Sequence, residues 1–147
     1  MEGTSTHVLV VAYRTATTRP LLDAVQKRAA KGPSTFTLLV PTDRVADPQT
    51  ESPEQALELA LPLMKEAAGG HVEGILGDAD PIVAVRDAAR ERAYDEVIIS
   101  TLPRGVSRWL RRDLPRRVRE ELGLPVTHLV AERPRILPAR LPASLSD

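Results

Sequence analysis

The sequence predicts a single α/β domain: one doubly wound, five-stranded parallel sheet with helices on both faces. Three observations carry this. Five short apolar runs recur along the chain, and several are continuous Val, Ile and Leu rather than alternating. That is the pattern of strands buried on both faces. Helical patterns of about ten to fifteen residues separate the runs, and strands alternating with helices imply right-handed crossovers and parallel pairing. The chain has 147 residues, the size of one domain with a sizeable core.

The elements follow in order. His7–Ala12 is the first strand. Leu21, Leu22, Val25, Ala29 and Ala30 form one face of a helix near 19–31, which Gly32 and Pro33 end. Thr35–Val40 is the second strand, and a polar loop over 41–51 follows it. Ser52-Pro53-Glu54-Gln55 opens the second helix. Ser52 suits the cap, Pro53 the first helical position, and Gln55 can close a capping box. Pro62 falls inside this helix and removes a backbone donor, so a kink is expected there. His71–Leu76 is the third strand. Asp80-Pro81 opens the third helix, with Ile82, Val85 and Ala89 facing inward. Glu96–Ser100 is the fourth strand. A helical stretch from 106 to 122 is divided by Pro115, and Val126–Ala131 closes the sheet. The domain spans 1–131. Residues 132–147, with three prolines among scattered Arg and Ser, read as an extended tail.

Composition excludes several functions. There is no cysteine, hence no disulfide framework, thiol catalysis or thiolate metal site. No apolar run approaches the roughly 20 residues that span a bilayer, and no signal peptide is readable, so a cytoplasmic location is expected. The 20 basic and 20 acidic residues cancel, which gives no global attraction to nucleic acid or membrane. Aromatic residues make up only 3%, too few for a base-stacking platform. The basic character is local: residues 104–119 hold seven arginines against one acid, Asp113.

In an open parallel sheet, ligands bind beyond the carboxyl ends of the strands, where the strand order reverses. Candidate ligand or anion contacts at that edge are Tyr13, Arg14, Val40, Ser100 and Thr101. The arginine-rich turn adds Arg104, Gly105, Ser107, Arg108 and Arg112. Arg104, Arg108, Arg111 and Arg112 fall at helical i, i+4, i+7 and i+8 and can share one side. Guanidinium forks bind phosphate bidentately. The same cluster also reads as a nucleic-acid patch or a solvated helix face. Trp109 can stack on a ligand ring, although packing under the last helix is the simpler reading. Asp78 and Asp80 can hold a ribose or Mg²⁺, although Asp80 is more simply the cap before Pro81. No metal site is expected: His7 and His71 begin strands, at the end opposite the ligand edge. No glycine-rich dinucleotide or P-loop motif occurs, and no nucleophile elbow. No enzymatic activity is expected.

From Asp78 through Ile82-Val-Ala-Val-Arg-Asp-Ala-Ala to the run ending at Ser100, the chain resembles the third helix and fourth strand of universal stress (UspA-like) proteins. Trp109-Leu-Arg-Arg-Asp-Leu-Pro-Arg-Arg-Val118 and Leu124-Pro125-Val126 resemble that family's final segment. The resemblance covers 7–131 in element order and is specific over 78–130. It implies an adenine nucleotide alpha hydrolase-like fold, a regulatory stress-response role without catalysis, and a homodimer paired through Val126–Ala131.

Nucleotide-binding members carry G-2x-G-9x-G-[S/T] after the fourth strand. Here Ser100 stands at the first glycine, Pro103 near the second, and Arg112-Asp113 at the final pair. The turn after the first strand reads Ala12-Tyr13-Arg14-Thr15, without the aspartate of binders. A conventional ATP site is therefore not expected, and no cofactor is assigned; the two readings left open are a noncanonical arginine-lined site for an anionic small molecule and no ligand at all. Asp113 is placed to cap the Pro115 helix, and a capping carboxylate there fills the seat that a phosphate uses. The alternatives are an adenine-nucleotide binder whose arginines replace the missing glycine contacts, and an adaptor for nucleic acid or protein through the 104–119 face.

Overall fold

The computed structural model of the chain describes residues 5–13, 15–42, 52–102, 109 and 113–130. The elements are β1 (Thr6–Val11), α1 (Arg19–Ala30), β2 (Ser34–Pro41), α2 (Pro53–Ala68), β3 (Val72–Gly77), α3 (Pro81–Glu91), β4 (Glu96–Thr101), α4 (Leu114–Leu122) and β5 (Val126–Val130). The five strands form one sheet in the order β3-β2-β1-β4-β5. Every pairing is parallel. The predicted strands match these within two residues at each end. The polar loop at 43–51 and the tail lie outside the described residues.

Strand alternation divides the interior into two cores. Val8, Val10, Phe36, Leu38, Val40 and Ile98 face α1 and α2, where Leu21, Val25, Ala60 and Met64 meet them. Leu9, Val11, Leu39, Val97 and Ile99 face α3 and α4, where Ile82, Val85, Ala88, Leu114 and Val118 meet them. β1 lies at the centre, and Val8 to Val11 are wholly buried on both faces. This explains why its sequence shows no polar alternation. Each such side chain contributes about 1.5–3 kcal/mol of burial free energy.

The helix starts follow local chemistry. Ser52 Oγ accepts from the Gln55 amide at 3.1 Å, and the Gln55 side chain accepts from the Ser52 amide at 2.9 Å, closing the capping box. Asp80 Oδ1 accepts from the Ile82 amide at 3.1 Å and caps α3. α2 runs on through Pro62 to Ala68 and ends at Gly69 in the left-handed region. Gly77 ends β3 against α3: a Cβ there would stand 2.7 Å from Ala84 Cβ and 2.8 Å from Leu39 Cδ1. The missing side chain lets helix and strand approach.

Ion pairs tie elements together. The Arg28 guanidinium of α1 meets Glu96 at the start of β4 at 3.0 Å, with both side chains largely covered. Arg86 of α3 grips the Glu121 carboxylate of α4 through Nε and Nη2. No described helix is long and apolar enough to cross a membrane.

Candidate functional site

β1 leads through α1 to β2 on one side, whereas β4 leads through α4 to β5 on the other. The gap between the carboxyl ends of β1 and β4 is therefore the topological switch point, where a sheet of this kind leaves a crevice. Tyr13 and Thr15 follow β1 at this end of the sheet, and Ser100 and Thr101 end β4.

Three of these groups, Thr15, Ser100 and Thr101, are small, polar and buried. Thr15 Oγ1 and Ser100 Oγ lie 2.7 Å apart. Thr101 Oγ1 lies 2.9 Å from His128 Nε2 on β5. Alternation sends Ser100 to the α1/α2 face and Thr101 to the α3/α4 face, so β4 is tied to a different neighbour on each side. The turn after β1 is held by its own bonds. The Thr15 carbonyl accepts from the Thr18 amide at 3.1 Å and from Thr18 Oγ1 at 2.7 Å.

Of the candidate contacts, Tyr13, Val40, Ser100 and Thr101 are described. Tyr13 is half-buried against the α1/α2 core, and Val40 is wholly inside it. Ser100 and Thr101 face inward and have protein partners. Arg14, Arg104, Gly105, Ser107, Arg108 and Arg112 lie outside the described residues. Thr15 was not among the candidates. Its partner is 85 positions away, and no local pattern reports such a pair. Trp109 is half-buried against the α3/α4 core, which agrees with packing.

One expectation is corrected. Asp113 occupies the N-cap position of α4, but its side chain makes no capping bond. Its backbone is left-handed, with φ 57° and ψ 42°, the one positive φ among described non-glycine residues. The capping geometry needs extended backbone. In the left-handed conformation the carboxylate instead accepts from Arg116 Nε at 2.8 Å. The carboxylate therefore does not fill the amides that begin α4.

The basic face is partly neutralised. Arg116 meets Asp113 and, at 3.8 Å, Glu120. On the neighbouring face, the Arg86 hydrogen bond holds the Glu121 carboxyl below its ordinary range, and Glu121 raises Arg86 in turn. Asp78 Oδ1 accepts from the Asp80 amide at 2.9 Å, so both aspartates serve the start of α3. His7 Nδ1 bonds Thr35 at 2.6 Å at the far end of the sheet. Among the described residues no group of His, Asp and Glu is arranged to hold a metal ion.

No protein-family model and no curated protein matches the chain. Solved structures do. A universal stress protein in complex with cAMP is 19% identical, with a TM-score of 0.64 over 88% of this chain and all of that one. A universal stress protein from Archaeoglobus fulgidus is 16% identical, with a TM-score of 0.58 over 84% of this chain and 92% of that one. A family member from Arabidopsis thaliana with AMP bound is 14% identical, with a TM-score of 0.58 over 92% of this chain and 99% of that one. The chain thus has the fold of universal stress proteins.

Proposed function

We propose that the chain is a diverged universal stress protein: a regulatory module without catalysis that binds an adenine nucleotide or a related anionic small molecule at the β1/β4 switch point. The observation that carries this is the shared sheet, with a crevice edge built from Tyr13, Thr15, Ser100 and Thr101 at the site that parallel sheets use for ligands. Two of the similar structures hold AMP or cAMP. The Asp113 carboxylate makes no capping bond and so does not itself occupy the start of α4, which is compatible with an anion there. The arginines at 104–112 would supply counter-charge.

Calorimetric titration with AMP, cAMP and ATP tests the reading. Saturable heat with at least one nucleotide, and no hydrolysis of ATP, is the expected result. Absence of heat and of any rise in Tm at millimolar nucleotide sinks it. Mass spectrometry of small molecules released from the denatured protein identifies what it carries.

A homodimer through β5 belongs to the same reading. β5 is an edge strand, and Val130 on it is 45% exposed. Pairing would satisfy its open backbone groups. A clean monomer by light scattering at micromolar concentration removes this part. The adaptor reading gains no support from α4, where Arg116 is already engaged by acids of its own turn and helix.

A further inference from the structure

Thr15 and Ser100 are 2% and 1% exposed, and their hydroxyls meet at 2.7 Å across the point where the sheet divides. Thr15 anchors more than itself. Its carbonyl holds both the amide and the hydroxyl of Thr18. The Thr18 carbonyl in turn accepts from the Leu22 amide of α1 at 3.1 Å. The Thr15 side chain therefore fastens the start of α1 to the end of β4. A buried hydroxyl stripped of its partner is costly, so a group entering this crevice must either leave the pair intact or replace one member's partner.

We propose that the Thr15–Ser100 pair is a latch: it holds the start of α1 against β4 in the free protein and thereby sets the affinity of the crevice. Both are positioning residues. The affinity half of this inference rests on the switch-point reading of the previous subsection; the fastening half does not.

The test compares the wild-type chain with the Thr15→Val/Ser100→Ala double variant. Removing both hydroxyls leaves neither one orphaned, and such paired replacements are close to neutral for folding. Hydrogen exchange is followed by NMR. At the Ala16 and Thr18 amides it is expected to speed up about three- to tenfold, the worth of one hydrogen bond, while the Val10 and Leu38 amides keep their rates. Thr15→Ser, which retains the hydroxyl, should exchange as the wild type does. Unchanged rates at Ala16 and Thr18, or equal acceleration through the whole sheet, overturn the latch. If the double variant does not fold, Ser100→Ala and Thr15→Val are compared singly: acceleration confined to Ala16 and Thr18 in both supports the latch, and uniform acceleration through the sheet, which a merely orphaned hydroxyl would give, overturns it.

AMP is then titrated into both proteins, and the variant is expected to bind tighter by a similar factor. Equal affinity overturns the claim that the pair sets affinity. Binding to neither protein overturns the nucleotide reading, and the exchange rates then decide the fastening alone.

Discussion

At the residue scale, Asp113 and Gly77 show the backbone deciding what a side chain can do. Asp113 looks like a cap from sequence because it stands two places before a proline that begins a helix. Its left-handed φ takes the carboxylate out of capping geometry. A left-handed conformation costs a residue with a Cβ about 1–2 kcal/mol. Asp113→Gly should therefore be more stable than Asp113→Ala by about 1 kcal/mol, as read by urea denaturation. Equal stabilities would mean that the backbone there is not left-handed in solution. Gly77 is the converse case. Its added methyl would press on Ala84 Cβ and Leu39 Cδ1, and overpacking of this kind costs about 1–3 kcal/mol. Gly77→Ala should lower the denaturation midpoint accordingly, whereas Gly32→Ala, with open space around it, should not.

At the element scale, what is local was legible and what is distant was not. The Ser52 capping box and the Asp80 cap follow from residues within three positions of each other. The inner strands β1 and β4 announce themselves as nearly continuous apolar runs because both of their faces are covered, whereas the edge strands β3 and β5 carry Glu73 and His128 and are only partly covered. Ser52→Ala should destabilise the fold by about 1 kcal/mol, measured as a shift in Tm. The α3–α4 contact through Arg86 and Glu121 spans 35 positions, and no motif announces it. Because Arg86 depresses the Glu121 carboxyl, this pair stabilises the fold above the ordinary carboxylate pKa. The contribution fades as the pH falls through the lower, folded-state value. Glu121→Gln should show a small loss of Tm at neutral pH that shrinks with acidification and with added salt. A loss independent of pH would assign the effect to packing instead.

At the scale of the whole molecule, alternation and handedness give the succession of strands and helices and their parallel pairing, whereas the order across the sheet, β3-β2-β1-β4-β5, is read from the structure. That order also locates the crevice, since the split between β1 and β4 is a property of topology. The partners at the crevice edge do not follow from sequence. Ser100 and Thr101 could be placed at the right edge, but their bonds to Thr15 and His128 depend on the register between strands distant in the chain. The arginine-rich turn was legible as charge and as position, and its geometry at 103–108 lies outside the described residues. Binding there should weaken in Arg108→Ala and Arg112→Ala, by about tenfold for a lost charge-assisted contact. The calorimetric titration that tests nucleotide binding also measures this.

The sheet has two unlike edges, β3 and β5, and all five strands point the same way. This direction limits how copies of the chain can assemble. Joining β5 of one copy to β3 of the next keeps every strand parallel, but leaves one β3 and one β5 free at the ends. Such an arrangement has no closure and can lengthen without limit. Joining β5 to β5 about a twofold axis reverses one sheet against the other, consumes both β5 edges and stops at two. For a parallel sheet of this order, the self-limiting assembly is the one that breaks the sheet's own direction.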